Sequence, residues 1–438
     1  MAFTFRGGLH IPDHKSATNR VPIKKIEGAE LHIYPVVQHI GAPLEPKVAV
    51  GDVVCVGDVL ADSDAFVSVP VHSSISGVVK EIKEHLHPSG NMVKAIVVEN
   101  DNLYTVSSAV TPKDPDKMTK EEMLKVIHDA GIMGMGGAGF PTHVKLNPPA
   151  DKKITHVIVN GAECEPYLTS DHRRMLETPD VIVDGLKICM KLLGLKKGYI
   201  GVESNKANAI KALKKVASSD VEVVTLITKY PQGAEKQLIN AITGREVPSG
   251  GLPADAGAIV LNIDTVTNIS RAFRTGMPVI TRVVTMSGDC IKEPQNFETR
   301  TGMPIAKLIE LAGGFVKEPE KVIIGGPMMG MAQYSLDVPV IKTTSAILSL
   351  SKAETVYDPD TACIRCGKCV TACPMHLMPL YINKYIREDN LEMAEKYNVL
   401  DCIECGICSY LCPGMQNPLN NIRVAKPRII ENRKKKSQ

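Results

Sequence analysis

No uncharged apolar run in this sequence is long enough to cross a membrane. The longest, Ile323 to Leu336, is interrupted by glycines, Pro327 and Gln333, and falls short of the roughly 20 apolar residues that a spanning helix needs. The start, MAFTFRGGLHIPDHK, has charges and a proline where a secretion signal would carry its apolar segment, so no such signal is expected. Charge imbalance is missing too. Lys and Arg number 51 against 48 Asp and Glu, a formal net charge of +3, too small to argue for a nucleic-acid binder. No candidate catalytic triad is visible.

What is present describes an ordinary folded protein, 44% hydrophobic and 23% charged, with length for about three domains at roughly 150 residues each. The charge average hides a basic end. From Pro413 onward, Arg423, Lys426, Arg428, Arg433, Lys434, Lys435 and Lys436 stand against the single acid Glu431. The residues after Asn421 are therefore expected to form a mobile basic tail, 423–438. Eight of the 12 cysteines crowd into the last quarter of the chain. That clustering fits metal ligation in a reducing compartment better than a secreted disulfide framework.

Residues 1–30, rich in Gly, Pro and Lys, read as an extended arm. From 31 to 110, apolar and polar residues alternate between Gly-Asp turns (GDVVCVGDVLADSD, VPVHSSISGVVKEI, AIVVEND), which predicts a module of short strands. Its cadence resembles the barrel-sandwich fold of biotinyl and lipoyl carriers. A carrier needs a lysine at a hairpin tip, and Ala61 to Ser76 contains none, so a structural role is expected. Pro112 and Pro115 mark a linker, and Thr119 with Glu122 is a capping-box signal for a helix to about Ala130. Strand-like THVIVNGA, GYIGVES and VEVVTLIT then alternate with helix-like DVIVDGLKICMKLLG, KANAIKALKKVA and AEKQLINAIT. This alternation predicts a doubly wound α/β domain over 118–275, with ligands beyond the carboxyl ends of the strands. A strand-rich piece, VITRVVTMSGDCIK, followed by helical MPIAKLIELAGG makes a second small α+β unit, 279–333. Asp358 and Pro359 open a cysteine-rich region, 355–422.

Two cysteine runs carry the strongest chemical signal. Cys363, Cys366, Cys369, Cys373 and Pro374 repeat as Cys402, Cys405, Cys408, Cys412 and Pro413. Each is C-x2-C-x2-C-x3-C-P, the ligand spacing of two-cluster [4Fe–4S] ferredoxins, in which the fourth cysteine serves the other cluster. One cluster is then expected on Cys363, Cys366, Cys369 and Cys412, the other on Cys402, Cys405, Cys408 and Cys373. Zinc has no use for two runs of four at this spacing. The remaining cysteines, Cys55, Cys164, Cys189 and Cys290, read as small apolar residues. The scattered histidines suggest no site.

The loop Gly134, Met135, Gly136, Gly137, Ala138, Gly139, Phe140, Pro141, Thr142 would let backbone N–H groups approach a phosphate. A glycine loop alone also makes ordinary turns. Two further segments stand where a doubly wound sheet builds its site, NGAECEP (Asn160 to Pro166) and YPQGAE (Tyr230 to Glu235).

The loop GMGGAGFPTHVK, with NGAECEP, YPQGAE and NIDT, resembles the NADH-binding flavoprotein subunit of respiratory complex I. The order of the pieces, from GGLHIPDHK through the β module, flavin domain, β-grasp unit and two ferredoxin runs, resembles the C subunits of Rnf ferredoxin:NAD+ oxidoreductase complexes. The resemblance covers nearly the whole chain. It implies that Gly134, Gly136 and Gly137, with Lys145, hold the phosphate of FMN, and that Asn160, Glu163, Gly233, Asn262 and Thr265 line the flavin. It implies further that Phe140, Glu165, Tyr230 and Glu235 receive NAD(H). Three positions depart from the complex I pattern: Met135 stands for Arg, Ala162 for Asp and Ala234 for Glu, so fewer charges line the site.

A hydride carries two electrons and an iron–sulfur cluster accepts one, so a flavin must stand between NAD(H) and the clusters. The resemblance implies an oxidoreductase subunit peripheral to the cytoplasmic side of the membrane, partnered by membrane and iron–sulfur subunits. Ferredoxin would deliver electrons directly or through one of these, and Na+ or H+ would move through other subunits. A soluble cobalamin reductase of a microcompartment, which shares the flavin, β-grasp and cluster regions, is the rival enzyme; a non-catalytic electron conduit is the rival of another class.

Overall fold

The computed structural model describes residues 3–355 and 361–437. Asp358 and Pro359, read as opening the cysteine-rich region, lie outside the described residues. Beyond the linker, Thr119 caps the helix Lys120–Asp129 reciprocally: its hydroxyl accepts from the Glu122 N–H at 3.2 Å, and the Glu122 carboxylate accepts from the Thr119 N–H at 2.8 Å.

The alternating middle of the chain forms a four-stranded sheet with all neighbours parallel. Its order is Val221–Leu226, Gly198–Glu203, His156–Gly161, Ala258–Asn262. One face buries Val157, Val159, Ile200 and Leu261 against the helices Pro179–Leu193 and Ile263–Thr275. The other buries Ile158, Val224 and Val260 against Glu235–Thr243. Residues one apart on a strand thus enter different cores, as a sheet covered on both sides requires. Strand order reverses between His156–Gly161 and Ala258–Asn262, the place where open α/β sheets leave a crevice for ligands.

The N-terminal module holds two small sheets. One contains Leu31–Pro35, Met92–Asn100, Gly77–Leu86 and Val53–Val54, the other Glu45–Pro46, Val59–Asp62 and Val71–His72. They share a core of Tyr34, Leu44, Leu60, Ile75, Val79 and Ile96. The second α+β unit is larger than its sequence suggested. Its six-stranded sheet runs Ile23–Lys25, Gln295–Arg300, Thr281–Ser287, Ala346–Leu350, Lys321–Ile324, Met331–Gln333. An arm segment therefore forms one edge, and a strand beyond residue 333 forms the middle. Lys342 locks the three units: its buried ammonium donates to the carbonyls of Pro70 at 2.7 Å and Gly131 at 2.8 Å.

In the cysteine region the repeated sequences CIRCGKC and CIECGIC adopt repeated conformations. Gly367 and Gly406, at φ +77° and +80°, precede the short helices Lys368–Thr371 and Ile407–Tyr410. This left-handed backbone favours glycine, so the repeat is encoded locally. The basic end corrects the expectation of a mobile tail: 423–437 is the continuation of a helix, Pro418–Ser437. Ile422, Ala425 and Ile429 bury one stripe in the core that also holds Ile382 of the helix Pro379–Arg387. Its charges find partners that no local pattern announces: Lys426 pairs with Glu404 at 2.6 Å and Arg428 with Asp389 at 2.8 Å. Among the described residues, no helix is long and apolar enough to cross a membrane.

Candidate functional site

At the carboxyl end of His156–Gly161, Asn160 ties two of the expected loops together. Its Nδ2 donates to the Gly233 carbonyl at 2.7 Å, and its Oδ1 accepts from the Ala162 N–H at 3.1 Å. Gly233 approaches the Ala162 carbonyl too closely for a Cβ. At the end of the neighbouring strand, Asn262 caps Ile263–Thr275, its Oδ1 accepting from Asp264 N–H at 2.8 Å, and its Nδ2 donates to Asp171 at 2.8 Å.

The glycine loop closes over this point. Gly134 N–H donates to the Phe140 carbonyl at 2.8 Å, and Met135 N–H donates to the hydroxyl of buried Thr265 at 3.1 Å. Gly136 abuts the Asn262 amide: a Cβ there would lie 2.7 Å from Nδ2. Gly137 differs, for a Cβ would meet no protein atom within 4 Å. The loop thus has a bare backbone facing open space, which fits a phosphate cradle. Lys145 forms an ion pair with Glu235, so the cation expected at the phosphate and the acid expected at the nucleotide lie together. Phe140, at the end of the glycine loop, is 37% exposed.

Beneath the loop lies a buried ionic network that the sequence reading missed. Arg174 pairs with Asp264 at 3.0 Å and with Glu298 at 2.9 Å. Arg282 pairs with Asp264 at 2.7 Å and donates to the Met135 carbonyl at 3.2 Å. The guanidinium groups hold the Asp264 carboxyl below its ordinary range in spite of its burial. The network thereby fastens the glycine loop to the strand Thr281–Ser287. Asp171 is pushed the other way, above the carboxylate range, first by burial and then by Glu163 and Asp264.

Glu163 lies at the start of the helix Ser170–Glu177. Its carboxylate accepts from Asp171 N–H at 2.8 Å and His172 N–H at 3.3 Å, satisfying donors that a helix start leaves free. Lys15, carried in by the arm, is buried beside it at 3.8 Å. The Lys15 ammonium donates to the carbonyls of Glu163 at 3.0 Å, Glu165 at 2.8 Å, and Leu168. The one sequence signal for Lys15 was its place in GGLHIPDHK. Nothing local distinguished Asp171, Arg174, Asp264 or Arg282.

Tyr230 and Glu165, expected at the nucleotide, make protein contacts with Cys405 and Met328. Tyr230 is 1% exposed, packed among Leu9, Cys164, Met328, Ala372 and Cys405. Its hydroxyl gives its one proton to the Cys405 carbonyl at 2.8 Å. Glu165 Oε2 accepts from Met328 N–H at 3.1 Å, while Oε1 has no hydrogen-bond partner among the described residues. Burial pushes the Glu165 carboxyl up to about 7.

The cysteines gather in two cavities. Cys363, Cys366, Cys369 and Cys412 line one; Cys373, Cys402, Cys405 and Cys408 line the other. All are free thiols. Four thiolate donors around each space are the donor set of a cubane, and among the described residues no three or more His, Cys, Asp or Glu close on a single ion. Of the other cysteines, Cys189 and Cys290 are buried as expected, whereas Cys55 and Cys164 are only partly so.

A parallel-sheet crevice under a glycine loop, joined to two four-cysteine cavities, defines an iron–sulfur flavoprotein. Sequence models agree region by region. The Nuo51 FMN-binding domain matches residues 127–271, the RnfC barrel sandwich hybrid domain 3–103, the SLBB domain 283–332 and the 4Fe-4S dicluster domain 355–413. The chain is 49% identical over 435 residues to the C subunit of the Na(+)-translocating ferredoxin:NAD(+) oxidoreductase complex of Acetobacterium woodii, covering 99% of this chain and 98% of that one. It is 49% identical over 404 residues to the C subunit of the proton-translocating ferredoxin:NAD(+) oxidoreductase complex of Clostridium ljungdahlii, covering 92% and 88%. The C subunit of the ion-translocating oxidoreductase complex of Rhodobacter capsulatus is 39% identical over 442 residues, covering 100% and 85%. The chain belongs to this family of C subunits. A crystal structure of an NAD+-reducing [NiFe]-hydrogenase in the H2-reduced state aligns at TM-score 0.50 and 17% identity over 75% of this chain and 68% of that one, a likeness of fold.

Proposed function

We propose that this chain is the peripheral subunit that passes electrons between NAD(H), FMN and two [4Fe–4S] clusters in an ion-translocating ferredoxin:NAD+ oxidoreductase complex. The observation that carries this reading is the presence, in one chain, of a bare glycine backbone at a switch-point crevice and two cavities with four cysteines each. FMN supplies the step between two-electron hydride and one-electron cluster chemistry. Gly134, Gly136 and Gly137 would cradle its phosphate, with Lys145 turning from Glu235 to complete the charge. Asn160, Gly233, Asn262 and Thr265 hold the surrounding loops, and Glu163 and Asp171 stand below them. Phe140 and Glu235 are the residues best exposed to meet NAD(H).

In this reading residues 31–110 form a barrel-sandwich module, 118–275 the doubly wound flavin domain, 279–333 the heart of a β-grasp unit, and 355–422 the two-cluster domain. Cys363, Cys366, Cys369 and Cys412 ligate one cluster; Cys402, Cys405, Cys408 and Cys373 ligate the other. The chain sits with its partners on the cytoplasmic membrane face: other subunits translocate the ion, and ferredoxin supplies electrons directly or through one of them. Anaerobic purification tests the reading by counting cofactors. About eight irons per chain, stoichiometric FMN and bleaching of the flavin by NADH are expected; zinc without iron, or no flavin, would refute it.

A further inference from the structure

The contacts of Tyr230 and its neighbours say which cavity faces the flavin domain. Tyr230 is paired by backbone with the arm, Leu9 N–H to Tyr230 carbonyl and Tyr230 N–H to Leu9 carbonyl, both at 2.8 Å. Its side chain reaches out of the flavin-site loop YPQGAE to the Cys405 carbonyl. Other bonds from the same domain end on the same side. Gln237 Nε2 donates to the Pro374 carbonyl at 3.1 Å, and Gly250 N–H to Asp401 at 3.0 Å, next to Cys402. Arm residue Gly8 donates to the Ala372 carbonyl at 3.0 Å, next to Cys373. The cavity of Cys373, Cys402, Cys405 and Cys408 therefore lies against the flavin domain. In the other, Cys363 and Cys366 are exposed and Ile364 is 69% exposed between them.

We propose that the cluster on Cys373, Cys402, Cys405 and Cys408 exchanges electrons directly with the flavin, that Tyr230 is the positioning residue that fixes it there, and that the cluster on Cys363, Cys366, Cys369 and Cys412 is the outward one, met by the electron-carrying partner. This rests on the cofactor reading above. NADH and two oxidised clusters yield NAD+, two singly reduced clusters and one proton, so the pair of cubanes can hold both electrons of one hydride. The Tyr230 hydroxyl polarises the backbone that carries a ligand, and hydrogen bonds around cluster ligands tune potential.

The test uses the full chain, loaded anaerobically, with the two clusters told apart by the paramagnetic signals lost in Cys405→Ser and in Cys363→Ser. Tyr230→Phe keeps the ring and removes the hydroxyl. It should retain FMN and iron, shift the midpoint potential of the signal lost in Cys405→Ser, and leave the other unmoved. A shift confined to the signal lost in Cys363→Ser, or none in either, would overturn the proposal. Rapid freezing of the unmodified protein after mixing with NADH gives a second measurement that no folding defect can spoil. The signal lost in Cys405→Ser should appear first, and the reverse order would overturn the proposal. An unmodified protein without FMN or iron would instead sink the cofactor reading itself.

Discussion

Gly137→Val separates a loop built for a ligand from a loop that is only a turn. A Cβ at Gly137 meets no protein atom within 4 Å, and its φ lies outside the left-handed region. A side chain therefore starts into open space in the ligand-free chain; removing glycine's freedom from the unfolded chain usually stabilises by ~0.4–1 kcal/mol when the fold is compatible. With FMN the sign changes. A side chain in the cradle would separate the phosphate from one or two backbone donors, and charge-assisted bonds contribute about 1.5–3 kcal/mol each. A loss near 3 kcal/mol corresponds to roughly 150-fold weaker FMN. Flavin fluorescence titration reads the affinity, and a thermal melt of the flavin-free protein reads the fold. Glu235→Ala is the companion: it should keep FMN bound and lose NADH-driven bleaching. A Gly137→Val protein that binds FMN as tightly as the parent would refute the cradle.

Replacing Cys373 with Ser should disturb the cluster of the later run, because Cys373 lines a cavity with Cys402, Cys405 and Cys408; loss confined to the signal assigned to Cys363, Cys366 and Cys369 would reverse the assignment. Acid should loosen the N-terminal module first. Burial holds His32 down to about 4 and His72 to about 3, so the unfolded chain binds more protons as pH falls below about 6.5, and each can remove up to ~3–5 kcal/mol on the way down to its folded value. Hydrogen-exchange protection, measured against the intrinsic rate at each pH, should fall across residues 31–100 from about pH 6 to 4, and unchanged protection over that window would contradict this. Lys342→Met should cost about 1–3 kcal/mol by leaving two buried carbonyls without their donor. Burial lowers Lys342 to about 7, so the parent should gain stability from about pH 7 to 10 while the variant does not; parallel pH profiles would disprove the interface role.

The repeated cysteine runs, the glycine loop and the strand–helix alternation were legible because each is local. Ligand spacing is set by a few residues around a turn, as Gly367 and Gly406 illustrate, and amphipathic period is set by which face of an element is buried. The capping box at Thr119 belongs to the same class. Tertiary structure decided what depends on neighbours distant in sequence. A loop side chain points where packing leaves room, and the Tyr230 hydroxyl meets the Cys405 carbonyl, 175 residues away. The basic end is a packed helix because Ile422, Ala425 and Ile429 bury a stripe against Ile382, and Glu404 and Asp389 then meet Lys426 and Arg428. Lys15, Arg174 and Arg282 look like surface charges in any local window. They are buried because each finds carbonyls or carboxylates from another segment, without which burial of a charge is prohibitively unfavourable.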